Sequence, residues 1–157
     1  MIGSRSSRST VLVAATVVAT LFCAAGPATA TPSLTAKQFR KAANATCRAA
    51  LKAVDWSFGK HFEGLREGET PSPASIREAV AEMVELLRDA TDDIKVLDGP
   101  KGYERKVAGF LAEFERVIAE FEADPKAMFA AELRSYPFED PDAIARRIGL
   151  SRCAQRG

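Results

Sequence analysis

The chain holds one histidine, His61, and three cysteines, Cys23, Cys47 and Cys153, so few side chains could ligate a metal or attack a carbonyl. Nucleophilic catalysis needs a base beside its serine or thiol. Neither a G-x-S-x-G elbow nor a reactive-cysteine signature is present. A zinc site would have to combine His61 with scattered carboxylates, because no H-E-x-x-H pair and no cysteine–histidine cluster occurs. Glycoside-type acid–base chemistry could use any two of the many acids, and no pair is singled out. The residue types therefore predict no enzyme, no metal site and no cofactor, with His61 a histidine at a helix end.

Two groups of residues do carry a pattern. Glu78, Glu82, Glu85, Asp89, Asp92 and Asp93 recur at helical steps and share one side of a helical wheel, opposite an Ile/Val/Leu stripe. Lys37, Lys41, Arg48 and Lys52 form a basic stripe on the preceding segment. Such faces are either the solvated outside of a helical domain or a docking surface for a partner protein or a divalent ion. No calcium-loop spacing accompanies the acids. Asp92 and Asp93 lie near a helix C-terminus, where the dipole disfavours them. The acidic face is the candidate interaction surface. The second group is aromatic. Phe39, Phe58, Phe62, Phe110, Phe114, Phe121, Phe129 and Phe138 join Trp56, Tyr103 and Tyr136. They either fill a core or line a cavity for an apolar ligand such as a lipid or haem. Trp56 falls beside the apolar stripe of its helix, which predicts partial exposure.

The segment ahead of these residues reads as a leader. "MIGSRSSRS" carries Arg5 and Arg8 without an acid, "TVLVAATVVATLF" is apolar, and "GPATA" places small residues at Ala28 and Ala30. That is the layout of a secretory signal peptide cleaved after Ala30, leaving a domain over 31–157. An uncleaved anchor would need about 20 apolar residues, more than the run from Thr10 to Ala25 supplies. Lipid attachment at Cys23 wants a small residue before it, and Phe22 stands there. The 22 basic and 21 acidic residues include Arg5 and Arg8, so the domain after the leader holds one more acid than base. A near-neutral domain has no general attraction to nucleic acid. The predicted location is secreted or extracytoplasmic, at the cell envelope. Membrane association follows only if the N-terminal segment stays uncleaved or is lipidated. In that oxidising compartment Cys47 and Cys153, the two cysteines left, most simply pair.

Helices must position these groups. Apolar residues at steps of three or four predict a first helix over about 35–63, weakened near its end by Gly59 and Gly64. A second starts at Ser72-Pro73 and stops at Gly99-Pro100. A third runs through Tyr103, Val107, Phe110, Phe114 and Phe121. Asp124-Pro125 and Asp140-Pro141 each read as an N-cap followed by a first-turn proline. They predict short helices over about 126–135 and 141–148, with Gly149 the left-handed residue ending the last. No alternating strand pattern of useful length occurs. The predicted fold is all-α, an antiparallel bundle of three long helices plus two short C-terminal ones, closed by one disulfide.

"FRKAANATC" (Phe39 to Cys47) resembles the F-x-x-x-A-N-x-x-C opening of a family of small secreted proteins and lipoproteins from actinobacteria. "LDGPKGYERKVAGFLAEFERVIAEFEADP" is similar to their middle segment, and "YPFEDPDAIARRIGLSRC" to their G-L-x-x-C ending. The resemblance implies a helical domain outside the membrane with Cys47 paired to Cys153. It supplies no activity and no catalytic residue. The function expected is therefore a non-enzymatic exported domain that binds or interacts at the cell envelope, its partner an unidentified protein. The alternative is a carrier of a small apolar molecule in an aromatic-lined bundle core.

Overall fold

A computed structural model describes residues 33–66, 68–132 and 136–155. The predicted leader, residues 1–30, lies outside them. Five helices follow one another: α1 Ala36–His61, α2 Pro73–Lys95, α3 Glu104–Ala123, α4 Pro125–Glu132 and α5 Glu139–Arg147. The described residues contain helices, turns and loops and no strand.

Local chemistry accounts for the ends. Thr35 caps α1 reciprocally: its Oγ1 accepts from the Gln38 N–H at 3.3 Å, and the Thr35 N–H donates to Gln38 Oε1 at 2.9 Å. Ser72 Oγ accepts from the Ser75 N–H at 3.0 Å, and Pro73 sits where no hydrogen bond is missed. Asp124 Oδ1 accepts from the Ala127 N–H at 2.9 Å, ahead of Pro125. The last helix behaves differently from the sequence reading. Asp140 does not cap it. The helix begins at Glu139 with Pro141 inside its first turn, a place where proline is tolerated because the N–H would be free anyway.

Gly149 ends α5 with φ +81°. The Gly149 N–H donates to Arg146 O at 3.1 Å and the Leu150 N–H to Ala145 O at 2.8 Å. These bonds satisfy carbonyls that would otherwise be orphaned and turn the chain sharply. A left-handed residue is what allows both bonds at once.

The helices pack in an open order. α1 lies on α2, α2 also meets α3 and α4, and α3 meets α4 and α5. The backbones of α1 and α3 do not lie side by side, and their side chains face one another across a small central void. The segment after α5 packs into the core: Leu150, Cys153 and Ala154 are buried, and Cys153 shares one void with α1, α2 and α3 side chains. Cys47 and Cys153 are joined there, S–S 2.07 Å and Cα–Cα 4.9 Å, across 106 residues of sequence. The core is otherwise aliphatic and aromatic, with Phe39, Leu87, Phe110, Ile118, Phe121 and Phe138 fully covered. All of this lies in one unit, Pro32–Gly157.

Candidate functional site

The acidic stripe of α2 resolves into two classes of carboxylate. Glu82 is half-buried and engaged: its Oε2 lies 2.7 Å from His61 Nε2 and 3.9 Å from Lys60 Nζ. Asp92 is 2.9 Å from Lys95 Nζ, which also reaches Glu115 of α3 at 2.6 Å. Glu78, Glu85, Asp89 and Asp93 are exposed and have no ion pair among the described residues. The basic stripe of Lys37, Lys41, Arg48 and Lys52 is likewise exposed and unpaired among the described residues. So the six acids are not one uniform face. Four of them carry no ion pair among the described residues, and Glu82 and Asp92 are paired within the domain.

Between α1 and α2 runs a shallow groove of about 440 Å³. Ala45, Thr46, Ala49 and Ala53 line it from α1, Leu86 and Ala90 from α2, and Asp89 and Asp93 from the α2 wall. Short side chains at four-residue spacing let another backbone approach closely. Trp56, 67% exposed, stands on the outside of the same helix, with Lys60 Nζ 5.5 Å from its ring centre.

His61 closes the end of α1 onto α2. The His61 hydrogen bond is the main cause holding the Glu82 carboxyl below its usual value of 4.5. The nearby Ser57 hydroxyl adds to the effect, although its buried Oγ has no partner at full hydrogen-bond geometry. Lys60 contributes a smaller attraction. A carboxyl depressed in the folded state stabilises the fold above its unfolded value, and that contribution disappears as pH falls through the folded value. Acid titration of the wild type should therefore show a loss of stability below about pH 4.5 that is shallower in Glu82→Gln. Superimposable acid limbs in chemical denaturation would show that this contact carries no linkage.

The C-terminal segment is held by three polar anchors that the sequence did not disclose. Asn44 Nδ2 donates to Gly149 O at 3.0 Å and its Oδ1 accepts from the Arg152 N–H at 2.8 Å, so one side chain spans the turn after α5. The Tyr103 hydroxyl donates to Ile148 O. Asp142, 1% exposed, accepts from Tyr136 OH at 2.6 Å and from the Gln155 N–H at 3.0 Å, with Arg146 at 3.6 Å. Asn44 had one legible signal: it precedes Cys47 by three residues, which puts both on the same side of a helix.

Room for a small ligand is unevenly distributed. The void at the centre, lined by Cys47, Leu87, Phe110, Phe114 and Cys153 among others, measures about 10 Å³. It admits about one water molecule and no lipid or haem. An edge cleft of about 360 Å³ opens instead between Val54, Asp55 and Phe58 of α1, Met83, Phe121, Phe129 and Gln155. Phe58, Phe62 and Phe129 form a ring cluster beside it, with centroids 5.6–6.5 Å apart. Among the described residues no three potential metal-ligating side chains converge, and no helix is long and apolar enough to cross a membrane. The chain matches no protein-family model, no curated protein and no solved structure.

Proposed function

We propose that this chain is an exported, non-enzymatic helical domain that engages a protein partner at the cell envelope through the α1–α2 face. The observation that carries the proposal is the set of unpaired, exposed carboxylates on α2, Glu78, Glu85, Asp89 and Asp93. Two of them stand over the alanine-lined groove. A groove with a small-residue floor and an acidic wall suits an amphipathic helix with basic residues along one edge. The likeness of Phe39–Cys47 and of the G-L-x-x-C ending to small actinobacterial secreted proteins and lipoproteins supports the export reading. So does the buried Cys47–Cys153 bridge, since such bridges persist in oxidising compartments.

We also read the helices as an antiparallel bundle. Arg88 pairs with Glu122 and Lys95 with Glu115, so residue numbers rise along α2 as they fall along α3. This arrangement leaves one flank of α2 to α1 and the groove.

The test is affinity capture from envelope extract of the native host with wild-type protein and with a Glu85→Lys, Asp89→Lys, Asp93→Lys variant. The wild type should retain a partner that the variant and high salt both release. Glu82→Gln, which alters a carboxylate already paired within the domain, should retain it. A partner held equally by the charge-reversed protein would sink the proposal.

A further inference from the structure

The edge cleft sits apart from the acidic α2 face, and its lining defines a ligand class. Five segments of the chain meet around it: α1 through Val54, Asp55 and Phe58, α2 through Met83, α3 through Phe121, α4 through Phe129, and the tail through Gln155. Its volume of about 360 Å³ lies at the lower end of the range for small-molecule sites, ~300–1,000 Å³. The walls are apolar and aromatic, and Met83 adds a thioether that adapts to differently shaped ligands.

The polar groups are few and specific. Asp55 lines the cleft and, among the described residues, has neither a salt bridge nor a hydrogen-bond partner. The Gln155 backbone is fixed by its N–H bond to the buried Asp142, two residues after the disulfide. The Gln155 side-chain amide also lines the cleft and has no hydrogen-bond partner among the described residues. Asp55 is exposed at the cleft, so its carboxylate keeps water beside a neutral head group, repels an anion and attracts a cation. A cation replaces that water with an ion pair, and aromatic faces favour it further. We infer that this cleft is a binding site for a small organic cation, an ammonium group carried on an apolar body. The ammonium meets Asp55 and the Gln155 amide oxygen at the mouth, and the body packs against Val54, Phe58 and Phe129.

Isothermal titration of the purified protein with phenylbutylamine, phenylbutanol and phenylbutyrate tests this, because the three probes share one apolar body and differ in the head group. The amine should bind about two- to fivefold more tightly than the alcohol, as expected for an exposed charge pair, and the carboxylate most weakly. Asp55→Asn, a change at an exposed position, should bring the amine down to the level of the alcohol and leave the alcohol unchanged. Phe129→Ala should weaken both. Unchanged thermal unfolding of Asp55→Asn establishes that the fold is intact. Equal binding of amine and alcohol, amine binding indifferent to Asp55→Asn, or no binding of any probe at millimolar concentration would each overturn the inference.

Discussion

Replacing Cys153 with serine should lower the stability of the domain by about 4–5 kcal/mol, the chain-entropy value for a loop of this length. The bridge closes 106 residues of sequence, so the unfolded chain without it gains nearly the full freedom of the domain. Typical domains are stable by about 5–15 kcal/mol, which makes this loss a large fraction of the whole. The native side adds to it. Cys153 is buried among α1, α2 and α3 and holds the C-terminal tail in the core. A serine hydroxyl in that apolar seat has little to bond with beyond the Ala43 carbonyl, 3.9 Å from the present sulfur. The change should appear as a fall of roughly 10–25 °C in Tm. Wild type under strong reductant should approach the same value. An unaltered Tm in both cases would mean that the bridge contributes nothing.

Phe138→Ala should cost about 3–5 kcal/mol, the usual range for deleting a fully buried phenyl ring. Phe138 stands at the entry to α5 with no exposed surface. Its ring stacks on Phe121 at 5.7 Å and lies 5.4 Å from Phe114 and 6.1 Å from Tyr136. Those contacts seat α5 on α3, and α5 in turn aims the tail at Cys47. Denaturation by urea should show a lower midpoint, and Phe138→Leu should recover most of it, because an apolar side chain of similar volume fills the space. Trp56→Ala, by contrast, should change stability by less than about 0.5 kcal/mol, since that ring is largely in solvent. A Phe138 effect no larger than that of Trp56 would refute the packing role. The losses from Phe138→Ala and Cys153→Ser should not simply add, because both act on how the same C-terminal segment is seated.

Much of the candidate site was only half visible in the sequence. The helical wheel showed six acids on one side of the second helix, and that is a local property. Which of them are free depends on what the neighbouring helices bring. His61 and Lys60 of α1 occupy Glu82, and Lys95 draws Asp92 and Glu115 together. The aromatics were legible as a set, but not their division between a closed centre of about 10 Å³ and an open edge cleft. Asp142 was singled out by no pattern in the sequence. It is a buried acceptor for Tyr136 and Gln155.

The sequence by itself determined the all-helical character, the cysteine pair, the caps at Ser72 and Asp124 and the glycine stop at Gly149. Each rests on periodicity, composition or hydrogen bonds reaching no more than a few residues along the chain. Only the tertiary structure decided that the tail is buried against α1, that Asn44 spans the last turn, and that the cleft forms where five segments meet. Those features join residues about a hundred positions apart. Their geometry follows from how packed helices divide the available volume, which no local pattern encodes.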